Sequence, residues 1–133
     1  MNKVRVKVLL NYSNAFMVYE PGDQLLCAAT FTLPYLGILN PGAVLGVVWR
    51  ELNVDDPTED WAVRYRDSEH RSLSVGDVIT IGEQAWTPQP ITGWTPCSVQ
   101  STQVWYDLGM VESVPKFPPN FAERFSRTYG SAK

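Results

Sequence analysis

The sequence is poor in the residues that build disulfide scaffolds and most hydrolytic active sites. Its 133 residues include two cysteines and one histidine. The thiols of Cys27 and Cys97 are too few for a disulfide-stapled domain, and their spacing does not favour a structural zinc site. A nucleophile–histidine enzyme would depend wholly on His70, and no Gly-x-Ser-x-Gly elbow lies near it. We therefore expect no catalytic residue set, no metal and no cofactor.

Basic charge is also scarce. Eleven basic residues face 14 acidic ones, which gives a net charge of −3 and a pI of about 5.0. Proteins that coat duplex DNA usually show a clear basic excess, so this balance argues against that class. The sequence has neither a Walker-type phosphate loop nor the Rossmann glycine fingerprint, which disfavours nucleotide-dependent chemistry.

No charged residue occurs between Asp23 and Arg50, and this stretch is long enough that a transmembrane helix has to be considered. Pro34, Gly37 and Pro41 interrupt it, so the stretch predicts a strand, a loop and a buried helix instead. The N-terminus alternates Lys or Arg with Val and lacks the apolar region of a signal peptide. We expect a cytoplasmic protein with reduced thiols and no membrane association.

The length corresponds to one domain, and 44% hydrophobic residues are typical of a globular chain. The order of elements predicts a single α+β domain over residues 1–115. In it, a mostly antiparallel, twisted sheet of short strands packs against one main helix at 41–52. A short helix is expected in the middle of the chain from Pro57. Residues 116–133 are predicted to form a C-terminal extension with a short docking helix.

Strands are indicated by alternating apolar and polar residues. Residues 3–8 alternate strictly, with three valines on one face and Lys3, Arg5 and Lys7 on the other. Gly82-Glu83 is typical of a hairpin turn between strands at 78–81 and 84–87. Further strands are predicted at 24–33, 91–94 and 103–106, and more weakly at 110–114.

Helix ends are indicated by capping residues. Asn40 followed by Pro41 is typical of an N-cap and a first helical position. Asn53 is expected to end this main helix in a left-handed conformation. Asp56, Pro57 and Glu59 predict a capping box at the start of the next helix.

Several short segments resemble a known group of proteins. They are Val-Tyr-Glu-Pro-Gly-Asp-Gln-Leu at 18–25, Leu-Asn-Val-Asp-Asp at 52–56, Tyr-Arg at 65–66, Arg-Ser-Leu-Ser-Val-Gly-Asp-Val at 71–78 and Gly-Trp at 93–94. In this order they resemble a family of small, uncharacterised actinobacterial proteins encoded on plasmids and phages. The segment at 71–78 is also similar, more weakly, to the YodL-like domains of mobile elements. The resemblance covers residues 19–94 and implies one domain of mobile-element origin, without assigning any catalytic residue.

Tryptophan is the most unusual feature, with five residues in the chain. Trp86, Trp94 and Trp105 lie in an uncharged stretch, a composition typical of the centres of protein interfaces. Packing within the sheet is the alternative interpretation. The aromatic residues Phe121, Phe125 and Tyr129, at four-residue spacing in the predicted C-terminal helix, have the same two interpretations: packing within the domain or contact with a partner. We take these six residues as candidate partner-binding residues of a small, non-enzymatic accessory protein that binds another protein, with a homodimer through the C-terminal helix as the second expectation.

Two other functions stay open at this stage. A modest basic face could bind nucleic acid if six side chains share it: Lys3, Arg5, Lys7, Arg64, Arg66 and Arg71. A hydrolase could use the clustered carboxylates of Asp55, Asp56, Glu59 and Asp60, although capping of a helix N-terminus is the favoured explanation of such a cluster.

Overall fold

The computed structural model describes residues 2–13, 16–89 and 93–112. The predicted C-terminal extension and its aromatic stripe lie outside these residues. The described chain forms six strands, two α-helices and one 3-10 turn at Ser101–Gln103. Their bounds are β1 Asn2–Asn11, β2 Leu25–Tyr35, α1 Pro41–Asn53, α2 Asp60–Asp67, β3 Val78–Ile81, β4 Gln84–Gln89, β5 Gly93–Cys97 and β6 Val104–Glu112.

The strands form one mixed sheet in the order β5-β4-β3-β1-β2-β6. Neighbouring strands are antiparallel except β2 and β6, which run parallel. The fold is therefore α+β, as predicted. The parallel pair was not predicted, and the connection before it carries the chain from β5 at one edge of the described sheet to β6 at the other.

Both helices cover the same face of the sheet, so the prediction of one main helix is incomplete. The valines of β1 and Phe31 of β2 point into a core shared with α1 and α2. Trp61 of α2 stacks on Phe31 with ring centroids 4.1 Å apart. The short middle helix is thus part of the main core. Neither of the two described helices is long and apolar enough to cross a membrane.

The main helix begins as predicted and ends differently. Asn40 is the N-cap and its side chain accepts a hydrogen bond from the Ala43 N–H at 3.4 Å. At the other end the C-cap is Val54 with an extended backbone, so the expected left-handed Asn53 is wrong. The Asn53 side chain instead accepts a hydrogen bond from the Leu73 N–H at 2.7 Å, a tertiary contact.

The second helix begins at Asp60 rather than at Pro57, and the predicted capping box is absent from it. Its N-cap, Glu59, makes no side-chain cap hydrogen bond. The carboxylate of Glu51, at the end of α1, accepts hydrogen bonds from the N–H groups of Thr58 at 2.8 Å and Glu59 at 2.6 Å. A residue from the preceding helix therefore satisfies the donors that a local cap would satisfy.

The opposite, open face of the sheet carries a smaller core. The connection at 98–103 passes over it, and the Tyr19 hydroxyl donates a hydrogen bond to the Ser98 carbonyl at 2.7 Å. The Gln103 side-chain amide donates in turn to the Tyr19 hydroxyl at 3.0 Å. Beneath them, Leu9, Leu25, Cys27 and Val78 pack with Val99 and Val104. The connection is therefore fixed against the sheet.

Candidate functional site

The three tryptophans of the uncharged stretch do not share one surface. Trp86 and Trp94 are half-buried and pack against the core on the helix side, where Trp94 meets Trp49 edge to face with ring centroids 5.8 Å apart. Trp105 lies on β6 and is 65% exposed. Because β5 and β6 form opposite edges of the described sheet, Trp94 and Trp105 cannot belong to the same patch.

An apolar groove lies beside Trp105. We call it the Trp105 groove; it is lined by Tyr12, Gln24, Leu25, Leu26 and Trp105 and has a volume of about 400 Å³. The parallel register places Trp105 next to Leu26 on β2. The Trp105 indole N–H donates a hydrogen bond to the Gln24 side-chain oxygen, which favours one orientation of the ring. Carbon atoms make up the exposed lining, so the groove suits apolar groups.

More exposed apolar side chains lie on the segment that follows β1. Tyr12 is 60% exposed, and Phe16, Met17 and Val18 are also exposed. Phe16 has a positive φ of 67°, which is uncommon for an aromatic residue. Its ring lies 5.3 Å from the guanidinium carbon of Arg71. Sequence reasoning missed these residues, although three apolar residues in a row between a strand and a Pro-Gly turn were a usable signal.

A buried polar network supports this segment. The Arg71 guanidinium donates two hydrogen bonds of 2.7 Å to the two carboxylate oxygens of Asp77. The same carboxylate accepts hydrogen bonds from the N–H groups of Asn11 and Ser74, each at 2.8 Å. The hydrogen bond to Asp77 is the main cause that raises the pKa of Arg71. The segment at 71–78 therefore ties the end of β1 to the turn that precedes β3.

The candidate basic face is divided between the two sides of the sheet. Lys3, Arg5 and Lys7 alternate on the open face of β1, away from the valines of the helix-side core. The three other arginines lie on α2 or just after it. Arg66 donates to the Val54 carbonyl, Arg71 is engaged by Asp77, and Arg64 lies 3.9 Å from Asp60. The structure does not bring the six side chains together, so nucleic-acid binding gains no support from the geometry.

The clustered carboxylates lie in the connection between the helices. Asp55, Asp56 and Asp60 are exposed and Glu59 is half-buried. None of the four lines the Trp105 groove or the two other grooves, which lie beside Lys7 and beside Trp94. The hydrolase hypothesis therefore gains no support from these three grooves.

His70, on which a nucleophile–histidine enzyme would depend, is half-buried. Its ring lies 5.1 Å from the ring of Tyr65, in the helix-side layer. Cys27 and Cys97 belong to the open-face core, so the sheet separates both thiols from the histidine. Within residues 2–13, 16–89 and 93–112, no group of three or more His, Cys, Asp or Glu side chains is arranged to hold a metal ion.

Comparison with protein-family models, curated proteins and solved structures finds no match for this chain. Of the predicted partner-binding residues whose exposure the structure describes, Trp105 is the most exposed, and it lines the Trp105 groove. The half-buried Trp94 lines a smaller groove of about 250 Å³ next to Trp49. Phe121, Phe125 and Tyr129 lie outside the described residues.

Proposed function

We propose that this protein is a small, non-enzymatic accessory protein that binds another protein through the Trp105 groove. The observation that carries the proposal is the 65% exposure of Trp105 beside an apolar groove of about 400 Å³. Exposed tryptophan and tyrosine in such a setting are the residues most enriched among those that dominate binding energy. A large exposed apolar ring is otherwise unfavourable in water, so its burial on binding is a source of affinity.

The occupant that fits this groove is a partner segment with a bulky aliphatic or aromatic side chain. The lining offers apolar contact from Leu25 and Leu26 and two ring surfaces from Tyr12 and Trp105. The Trp105 indole N–H donates a hydrogen bond to the exposed Gln24 side chain, which favours one orientation of the ring. Restriction of the ring before binding lowers the conformational entropy that binding costs.

The placement of the reactive side chains supports a non-enzymatic role. The one histidine lies on the other side of the sheet from both thiols. Burial raises the pKa of Cys97 to about 11, which keeps this thiol protonated and weakly nucleophilic near neutral pH.

The further proposal that the protein belongs to a plasmid or phage rests on the resemblance of residues 19–94. It is tested by the neighbourhood of its gene. Genes for replication, integration or phage structure on both sides would support it, and housekeeping genes on both sides would contradict it.

The binding proposal is tested by comparing the full chain with the variants Trp105→Ala and Ile38→Ala. Ile38 is a matched control because it is an exposed apolar residue that lines none of the described grooves. Each protein is immobilised, incubated with lysate of the source cells, and the bound proteins are identified by mass spectrometry. A candidate partner is then purified and its affinity for the three proteins is measured by calorimetry.

We expect one partner to bind the native chain and Ile38→Ala equally, and Trp105→Ala at least about tenfold more weakly, as for the loss of an interface anchor. Equal affinity for Trp105→Ala would contradict the proposal. The chain could instead capture a second copy of itself. In that case its mass in ultracentrifugation would depend on concentration, and Trp105→Ala would abolish this dependence. That result would identify the partner as a second copy of this chain.

A further inference from the structure

A second groove lies on the open face of the sheet, opposite the two helices. Its volume is about 320 Å³, near the lower end of the range of about 300–1,000 Å³ for small-molecule sites. Lys7, Thr80 and Ala85 form its floor, and the strand registers place them side by side on β1, β3 and β4. Because the Ala85 side chain is small, it leaves open space above the sheet, and this space is the deepest part of the groove. We call this the Lys7 groove.

The wall of the Lys7 groove comes from the connection that crosses the sheet and from the start of β6. Val99 and Val104 supply apolar surface, and Tyr106 closes one end with its hydroxyl. The hydrogen bonds of Tyr19 to Ser98 and Gln103 hold this connection in place. The groove is therefore built between two fixed parts of the fold.

One positive charge points into this groove. Lys7 is half-buried, and its solvent-exposed ammonium donates a hydrogen bond to the Tyr106 hydroxyl at 3.3 Å and lies 5.7 Å from the centre of that ring. An ammonium has three donors, so two remain available for a ligand. Among residues whose side chains the structure describes, no carboxylate lies within ion-pair distance of Lys7. Glu83 lines the groove from the exposed β3–β4 turn without pairing with it.

The thiol in this groove adds no opposing charge. Cys97 also lines the groove, and burial holds its thiol in the neutral form near neutral pH. The groove thus combines the Lys7 cation, the Glu83 carboxylate at the exposed turn, three hydroxyls and apolar surface, the last from Leu9, Ala85, Val99 and Val104. An ammonium with donors still available is stabilised by an anion that accepts from them, because charge-assisted hydrogen bonds are the stronger kind.

We propose that the Lys7 groove binds a small amphipathic carboxylate. The carboxylate lies on the Lys7 ammonium and the Tyr106 hydroxyl, and its apolar chain packs on Ala85, Val99 and Val104. This site is separate from the Trp105 groove: Trp105 and its neighbour Leu26 line none of it.

The test uses the full chain and two probes of equal chain length, sodium octanoate and 1-octanol, titrated by ¹⁵N–¹H correlation NMR. We expect octanoate to shift the amide signals of Lys7, Thr80 and Ala85, and to bind at least about tenfold more tightly than 1-octanol. Lys7→Met should remove this preference for the carboxylate. Lys3→Met is the matched control, because Lys3 shares the face of β1 but does not line the groove.

A second variant guards against failure of Lys7→Met to fold. Ser101→Trp adds bulk at the exposed rim of the groove and should weaken both probes alike. Trp105→Ala should leave octanoate affinity unchanged, which separates this proposal from the protein-binding one. The proposal is overturned if octanoate gives no saturable shifts, if the shifts centre on Tyr12 and Leu26, or if Lys7→Met and Lys3→Met bind it equally.

Discussion

Arg71 and Asp77 form a two-pronged ion pair in which each carboxylate oxygen lies 2.7 Å from a guanidinium nitrogen. Asp77 is only 1% exposed and also accepts two backbone N–H groups, from Asn11 and Ser74. This one carboxylate therefore joins the end of β1 to the turn that starts β3. The pair also positions the apolar segment after β1, because Arg71 contacts the ring of Phe16.

Removal of this carboxylate should destabilise the fold strongly. Asp77→Ala leaves the Arg71 charge and two backbone donors without their acceptor, so we expect a loss of about 3–5 kcal/mol in the free energy of unfolding. Urea titration followed by circular dichroism measures it. Asp60→Ala is the control, since the Asp60–Arg64 pair is exposed and 3.9 Å long, and should cost less than about 1 kcal/mol. Similar losses for both variants would contradict the structural role of Asp77.

Gly76 should tolerate no side chain. It has a φ of +91°, and a Cβ there would lie 2.0 Å from the Met17 carbonyl oxygen. Gly76→Ala should therefore cost the left-handed penalty of about 1–2 kcal/mol plus a steric displacement of the 16–18 segment. Gly37→Ala separates the two causes, because Gly37 has a φ of +69° and open space around it. Thermal unfolding should show a clearly larger loss for Gly76→Ala, and equal losses would mean that the contact with Met17 is unimportant.

Glu51 should matter more for stability than the exposed acidic cluster next to it. Its side chain is 1% exposed and accepts from the first N–H groups before α2. Glu51→Gln weakens these charge-assisted hydrogen bonds, and we expect a loss of about 1–2 kcal/mol in unfolding free energy. Asp55→Asn, at an exposed position in the same connection, should change it by less than about 0.5 kcal/mol. A larger effect from Asp55→Asn would point instead to a role for the cluster.

The Cys97 thiol should react with a displaced pH profile. Burial raises its pKa from 9.0 to about 11, so the folded chain holds the proton longer than the unfolded chain. The iodoacetamide reaction rate of Cys97, followed by peptide mass spectrometry, should rise about tenfold per pH unit from pH 8 to 10 and level off near pH 11. In urea it should level off near pH 9.

The same proton affects stability, with a sign that follows from linkage. Between about pH 9 and pH 11 the unfolded chain has lost the Cys97 proton and the folded chain still binds it, so stability falls as pH rises. Cys97→Ser should flatten this decline. Cys27, which is fully buried, serves as the internal control and should react only on unfolding. A folded-state plateau near pH 9 would show that Cys97 is freely solvated.

Much of the secondary structure could be predicted because its signals are local. The alternation at 3–8, the Gly82-Glu83 hairpin and the Asn40-Pro41 helix start depend on backbone preferences and on neighbours a few residues away. The predictions that failed at Asn53 and Asp56 lie beside contacts that local rules do not include. The Asn53 side chain accepts from the Leu73 N–H, and the Glu51 carboxylate, not Asp56, accepts from the Thr58 N–H.

The candidate sites were only partly predictable. Trp105 was singled out for its composition, but nothing in the sequence separated it from Trp86 and Trp94, which pack against the helix-side core. Lys7 was singled out as one of a basic stripe, and its role beside Tyr106 depends on a contact between residues 99 positions apart.

The sequence by itself determined that the chain is α+β and which residues of a strand such as 3–8 share one face, because periodicity and turn residues act locally. Its composition also showed that few of its residues are of the types common in hydrolytic active sites. The tertiary structure alone decided that β6 returns parallel to β2 and that the 98–103 connection covers the open face. The position of β6 and the 98–103 connection form the walls of both grooves. Both depend on burial and hydrogen bonding among residues far apart in the chain, and no local sequence pattern encodes these contacts.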